Sequence, residues 1–167
     1  MSKLCFMIAA MVLIAGCGFE PLHGQQQSGV NATSAMRQIS VPPIPERLGQ
    51  LLRIELTNRL TPSGPPRAPA YVLSVSVSES KQNLAVRKDA TATRANLVIS
   101  AKFELTDAKT EESLLSGTIR SINSYDILDA DFATLSAESD ARRRAALDLA
   151  TEIKSRLGIF LSQPRNT

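Results

Sequence analysis

Hydrophobic and polar residues follow two different periods along this chain, and each period predicts a different element. Between residues 46 and 60, leucine recurs at every fourth position, and Leu51 lies beside this row. This spacing is typical of an amphipathic helix that turns one face toward a core. Between residues 71 and 78, apolar residues alternate with residues that mostly carry hydroxyl groups, as in a strand with one buried face. The proline-rich segment 61–70 between them predicts a loop.

The strand pattern is clearest at residues 91–106. One face carries Leu97, Ile99, Ala101, Phe103 and Leu105, and the other carries Asn96, Ser100, Lys102 and Glu104. A charged segment at residues 107–112 predicts a hairpin turn, after which residues 113–125 return as the next strand of an antiparallel meander. Gly117 inside this strand predicts a bulge. Residues 36–41 alternate weakly, and prolines follow them, so they predict one further short strand.

A long helix is predicted after Asp129 or Asp131, either of which can serve as its N-cap. Its apolar stripe consists of Ala141, Ala145, Leu149, Ile153, Leu157 and Phe160 or Leu161. The order of elements predicts an α+β fold: a two-layer sandwich in which an antiparallel or mixed sheet of about four strands carries two helices packed on one face. We expect a single domain at residues 36–162 and a disordered tail at residues 163–167.

The amino terminus begins with Lys3 and an apolar run at residues 4–13, which is typical of a signal peptide and too short to span a bilayer. Ile14-Ala15-Gly16-Cys17 follows and resembles the lipobox of bacterial lipoproteins. The resemblance implies removal of residues 1–16 and attachment of a diacylglyceryl group to Cys17. The next segment is rich in Gln, Ser, Gly and Asn, so residues 17–35 are expected to form a lipidated N-terminus and a flexible tether.

The composition argues against an enzyme. Cys5 is expected to leave with the signal peptide and Cys17 to be acylated, so no disulfide is expected. The chain has one histidine, His23, and it lies in the expected tether, so neither a Ser/His/Asp triad nor a histidine metal site is expected in the domain. No glycine-rich phosphate loop is present in the sequence, and the lipid on Cys17 is the only non-protein group expected, with no metal and no cofactor. The aspartates at 126, 129 and 131 favour capping and turn formation over cation binding.

Two groups of basic residues stand out in a chain whose net charge is +3. Arg142-Arg143-Arg144 lie in the predicted long helix, where consecutive residues point in different directions, so they favour a solvated surface over one cationic patch. Lys81, Arg87, Lys88 and Arg94 cluster around a connection between two strands. This cluster is a candidate anion-binding loop. Nucleic acid is not an expected partner, because the chain has few aromatic residues for stacking and carries an export signal.

Two segments carry a resemblance to a known family. "CGFEPLHG", from Cys17 to Gly24, is similar to the Cys-Gly-Phe-x-Pro-Leu-Tyr-Gly start of the LptE family of lipopolysaccharide-assembly lipoproteins, with His23 in place of the usual tyrosine. "SYDILDADFATLSAESDARRRAALDLATEI" resembles the family's strand end followed by its Asp-Ala-x-x-Arg-Ala helix. The order of helix, long strands and closing helix also matches, so the resemblance covers essentially the whole mature chain.

The resemblance implies a protein tethered to the outer membrane that plugs the large β-barrel LptD and takes part in delivery of lipopolysaccharide to the cell surface. Gly18 after the cysteine favours the outer membrane, since aspartate there is associated with inner-membrane retention in many enterobacterial lipoproteins. Members of the family are thought to bind lipopolysaccharide, and Arg87, Lys88 and Arg94 are candidates for its phosphates by their loop position. The alternative is an unrelated periplasmic lipoprotein, acting as a ligand-binding or accessory subunit of another envelope assembly machine.

Overall fold

The elements follow the sequence pattern closely from residue 39 onward. A computed structural model describes residues 27–86 and 92–163. It contains α1 (Gln27–Met36), β1 (Ile39–Ser40), α2 (Glu46–Leu60), β2 (Tyr71–Val86), β3 (Ala92–Asp107), β4 (Ser113–Asp126) and α3 (Asp131–Ser162). The predicted helix 46–60 is confirmed, and β2 extends past the alternating residues 71–78 to Val86.

The four strands form one open sheet in the order β1-β2-β3-β4. The short β1 is parallel to β2, whereas β2, β3 and β4 form an antiparallel meander. The helices α2 and α3 pack against each other, and α3 lies on β3 and β4. This mixed sheet with helices confirms the predicted α+β class.

The core lies between the sheet and the helices. Alternation on β3 places every second residue from Ala95 to Leu105 in this core, as the sequence pattern predicts. The apolar stripes of both predicted helices are buried as well: Leu48, Leu52, Leu56 and Leu60 on α2, and Ala141, Ala145, Leu149, Ile153, Leu157 and Leu161 on α3. None of the helices in the described ranges is long and apolar enough to cross a membrane.

The helical layer has one more member than predicted. Residues 27–36 form α1, although the sequence analysis assigned this segment to the flexible tether. Ala32 is buried, and Ala35 and Met36 pack against the core. These three residues have the i, i+3, i+4 spacing of one helix face, so a small apolar face holds a segment whose overall composition is polar. Residues 17–26 lie outside the described part of the chain.

Two local predictions are wrong. The N-cap of α3 is Ala130, and neither Asp129 nor Asp131 makes a side-chain cap there. Instead, the hydroxyl of Thr134 accepts a hydrogen bond from the backbone N–H of Leu128 and donates one to its carbonyl. Gly117 is not at a bulge.

Gly117 pairs in regular register with Phe103 across the β3–β4 ladder. A Cβ atom at this position would lie 3.0 Å from two carbon atoms of the buried Phe103 ring. The absence of a side chain therefore leaves room for this ring. The register shift lies instead where Leu105 and Thr106 of β3 face Leu115 and Ser113, so the bulge is on β4 and Leu114 is its extra residue.

Candidate functional site

Arg94, one of the residues predicted to contact an anion, lies at the end of the sheet where β3 begins. Arg94 is on β3 and its side chain is exposed; its Nε donates a hydrogen bond to Oδ1 of Asp126 at 3.1 Å. Both side chains are more than half exposed, so this pair contributes little to stability and leaves much of the guanidinium accessible. Arg87 and Lys88 lie outside the described residues, as does Cys17.

Lys81, the fourth basic residue near the connection between β2 and β3, lies on the helix side of the sheet, and its side chain is about half exposed. Its Nζ lies 2.6 Å from Oε1 of Glu138, a residue on the buried stripe of α3 that is only 8% exposed. Arg142 pairs with the same carboxylate one helical turn later, and it also makes two hydrogen bonds of 2.8 Å to Glu79. The hydroxyl of Tyr125 donates to Oε2 of Glu138 at 3.5 Å. This set of five residues, the Glu138 network, joins β2, β4 and α3.

The Glu138 network shifts the pKa of three groups. Burial raises the pKa of the Glu138 carboxyl, but the hydrogen bonds and charges of Lys81 and Arg142 outweigh it and hold this pKa below its usual range. The hydrogen bonds to Glu79 raise the pKa of Arg142. Burial and the charge of Glu138 raise the pKa of Tyr125. At neutral pH, Glu138 is therefore ionised, Arg142 is charged and Tyr125 is neutral.

Sequence reasoning missed this network, although two signals in the sequence point to it. Glu138 and Arg142 are four residues apart on α3, which is the spacing of a helical ion pair. Glu79 and Lys81 are two residues apart on β2, which places both on the apolar side of a strand. The sequence alone does not show that these two pairs meet, because their contact depends on how α3 packs against β2.

The three consecutive arginines point in different directions, as the sequence analysis expected. Arg142 belongs to the Glu138 network, while Arg143 pairs with Asp140 at the surface, 2.9 Å away. Arg144 reaches β4, where its guanidinium donates to Oδ1 of Asn123 at 3.4 Å and to the carbonyl of Ser124 at 3.3 Å. The expectation that they do not form one patch is confirmed, but Arg142 is not simply a solvated residue.

The face of the sheet opposite the helices is lined by hydroxyl groups. Its residues on β2, β3 and β4 include Ser74, Ser76, Ser78, Ser80, Ser100, Ser116, Thr118 and Ser124. Lys102, Glu104 and Arg120 add exposed charges of both signs, and Ile122 is its most exposed apolar residue. This surface, the open face, is polar along three strands because period-two alternation sends the apolar residues to the helices.

Apolar side chains are exposed near the basic residues. Leu128, Phe132 and Leu135 lie at the beginning of α3, and Phe132 is 83% exposed. Because α3 begins directly after β4 ends, they occupy the same end of the molecule as Arg94 and Asp126. This end, the tip, therefore combines the Arg94 cation with apolar surface, a combination suited to an amphiphilic anion. Over the described ranges, no group of three or more acidic, histidine or cysteine side chains converges to hold a metal ion.

Comparison with known families decides the identity of the chain. The LptE family, described as lipopolysaccharide-assembly, matches residues 36–157. This protein belongs to the LptE family. The match covers both long helices and all three long strands, so membership is established by the domain and does not depend on the amino-terminal motif. Family membership makes the chain a cell-envelope lipoprotein of lipopolysaccharide assembly, and it excludes the alternative of an unrelated lipoprotein.

Solved structures similar to this LptE-family chain are also lipoproteins. A Caulobacter crescentus protein assigned as a lipoprotein is 29% identical; the match covers 81% of this chain and 99% of that one, with a TM-score of 0.70. The minor lipoprotein of Acinetobacter baumannii is 21% identical over 72% and 91% of the two chains, with a TM-score of 0.54. Rare lipoprotein B of Shewanella oneidensis is 14% identical over 72% and 92%, with a TM-score of 0.55, and shares the fold. No curated protein matches the sequence.

Proposed function

We propose that this LptE-family protein is anchored in the outer membrane through a lipid on Cys17 and plugs the lumen of an LptD-type β-barrel. The observation that carries the proposal is the open face, which presents hydroxyl groups along three strands. The lumen of a large outer-membrane barrel is polar and hydrated, so a hydroxyl-lined surface is compatible with it, whereas a large apolar surface is not. This role requires no catalytic step, no metal and no cofactor.

The tip supplies the proposed contact with lipopolysaccharide. Arg94 is exposed and, among the described residues, is engaged only by the exposed Asp126. In the sequence, Arg87 and Lys88 follow β2 in the connection that leads to Arg94. Phosphate groups form strong charge-assisted hydrogen bonds with such cations. Exposed Leu128, Phe132 and Leu135 at this end provide apolar surface for acyl chains. We therefore assign the phosphates to the three basic residues and the acyl chains to the apolar side chains of the tip.

Extraction from membranes in mild detergent tests the plug. We expect the tagged full-length lipoprotein to be recovered in a stable one-to-one complex with the LptD-type barrel. The complex should persist in high salt, because a plug is held by shape and many polar contacts and not by a few exposed charges. Recovery of a free monomeric lipoprotein under the same conditions would contradict the plug proposal.

Substitution of the basic residues tests the lipopolysaccharide contact separately. Joint replacement of Arg87, Lys88 and Arg94 by alanine should weaken binding of purified lipopolysaccharide by at least about tenfold, since charged hydrogen bonds are lost. A control protein with Arg67, Lys109 and Lys154 replaced by alanine loses the same number of positive charges from other exposed positions. Equal binding by the two variants would show that net charge, and not the tip, attracts the glycolipid.

A further inference from the structure

The strand β4 is a long unprotected edge of the sheet. It pairs only with β3, and its pairing is regular from Leu115 to Asp126. Natural sheets protect their edges with prolines, lysines, bulges or short strands, because unpaired backbone groups otherwise bind further strands. Beyond the bulge at Leu114, β4 continues to Asp126 without a proline, a lysine or a further register shift, and it exposes Ile122. The unpaired backbone groups of such an edge can bind a further strand. β4 is therefore a candidate site for pairing with a partner.

The backbone groups at this edge point toward solvent. The carbonyl of Ser124 accepts a hydrogen bond from Arg144 on α3, which shows that it faces away from β3. Backbone groups of residues two apart in a strand point to the same side, so those of Thr118, Arg120 and Ile122 also face outward. Among the described residues, none donates to or accepts from these outward groups. Three consecutive outward positions are thus available for pairing.

A groove runs beside this edge, between β4 and α3. Its volume is about 650 Å³, and its α3 wall is formed by Asp148, Thr151, Glu152 and Arg156. Glu152 pairs with Arg156, but Asp148 accepts only from the neutral groups of Ser121 and Asn123. The wall therefore carries one carboxylate without a cationic partner within the described ranges. A strand in this groove would turn alternate side chains toward Asp148.

We propose that β4 pairs with an extended segment of the partner barrel protein, which adds a fifth strand to the sheet through main-chain hydrogen bonds. The segment places a basic side chain opposite Asp148 and small polar side chains along the rest of α3. This inference rests on the proposed function for the identity of the partner. A second copy of this chain fits less well, because the α3-facing residues of β4 include no basic side chain to meet Asp148.

Two substitutions of Arg120 distinguish the contribution of its backbone N–H from that of its side chain. Arg120→Pro removes an outward N–H but leaves the ladder with β3 intact, and proline is tolerated at sheet edges. Arg120→Ala removes the same side chain and keeps the N–H. With a photoreactive residue at Thr118 of the full-length protein, we expect Arg120→Pro to lower cross-linking to the barrel by about fivefold relative to Arg120→Ala, since one hydrogen bond is lost. The melting temperature of each variant verifies folding.

A charge reversal outside β4 provides a second test that does not depend on proline. Asp148→Lys should lower the yield of the same cross-link by about tenfold, because the new lysine repels the basic side chain of the incoming strand. Asp140→Lys makes the same charge change elsewhere on α3 and serves as its control. Cross-links that map to one contiguous segment of the barrel in the parent protein, and fall with Arg120→Pro and Asp148→Lys, support strand pairing.

The remaining outcomes overturn the inference. Equal cross-linking by Arg120→Pro and Arg120→Ala excludes main-chain pairing, and cross-links between two copies of this chain indicate a homodimer instead. If the barrel is recovered with the parent protein but Thr118 captures none of it, strand addition is wrong while the plug proposal stands. If no barrel is recovered at all, both proposals fail.

Discussion

Glu138 carries a carboxylate on a helix face that otherwise consists of alanine, leucine and isoleucine. Burial of an ionised group is costly unless charges and hydrogen bonds compensate for it. Lys81 and Arg142 both contact this carboxylate, and the hydroxyl of Tyr125 completes its surroundings. Because these partners come from two strands and one helix, the Glu138 network favours one arrangement of the sheet relative to α3.

Replacing Glu138 by glutamine should therefore destabilise the fold. The amide keeps the shape of the side chain but leaves Lys81 and Arg142 without their shared anion, and we expect the free energy of unfolding to fall by about 1–3 kcal/mol. Urea denaturation of the purified domain measures this change. Glu152→Gln is the matched control, because Glu152 forms an exposed ion pair one turn from Arg156 and should change stability by less than about 0.5 kcal/mol.

The same carboxylate predicts a dependence of stability on acid. Since folding holds the pKa of Glu138 below its ordinary value of 4.5, its contribution is fully present above that value and is lost as the pH falls through the folded-state pKa. The difference in unfolding free energy between the parent protein and Glu138→Gln should thus stay constant from pH 7 down to 4.5 and shrink as the pH falls further. An unchanged difference below that pH would mean that the glutamine destabilises by packing alone.

At the scale of elements, Gly49 on α2 and Gly158 on α3 show when a helical glycine is needed for packing and when it only lowers helix propensity. A Cβ on Gly49 would lie 2.6 Å from Cγ2 of Ile44 and 3.0 Å from its backbone oxygen, whereas one on Gly158 would lie 3.5 Å from the end of Met36. Gly49 thus allows the segment before α2 to approach the helix closely. Gly158 serves no comparable purpose at the α1–α3 contact.

Alanine at these two positions should have opposite effects. Gly158→Ala should raise the free energy of unfolding by about 0.5–1 kcal/mol, because alanine favours the helix and meets only ordinary contacts. Gly49→Ala gains the same propensity but must displace buried Ile44, so we expect a net loss of about 1–3 kcal/mol. Thermal or urea denaturation compares them. A stabilising Gly49→Ala would show that Ile44 moves aside easily.

Elements in which large apolar residues recur with a clear period could be predicted from the sequence. Helix α1, which packs through only a few small or flexible side chains, could not. The stripes of α2 and α3 and the alternation on β3 each involve several large apolar residues, so their faces were predictable. Helix α1 rests on Ala32, Ala35 and Met36, a face too small to stand out within a polar segment. The pairing of Lys81 with Glu138 joins residues 57 positions apart, which only the fold brings together.

At the scale of the whole molecule, the proposed lipid on Cys17 determines where the domain works. The two acyl chains of a diacylglyceryl group hold a protein to a membrane far more firmly than one chain, and salt does not release them. Cys17→Ala should therefore leave the protein in the soluble fraction of the cell envelope, while the parent protein should sediment with outer membranes in high salt. Release of both proteins by high salt would indicate electrostatic attachment instead.

The length of α3 has a consequence for the reach of the molecule. Its 32 residues extend about 48 Å, with Met36 of α1 packed near Gly158 at one end and the tip at the other. This length is close to the full thickness of a bilayer with its headgroups. A rigid rod of that length fixes how far the tip lies from the end of α3 at which Met36 packs. The length of α3 therefore sets the distance between the tip and the opposite end of the domain. Removing whole turns from α3, together with pairs of residues from β4, would shorten this distance.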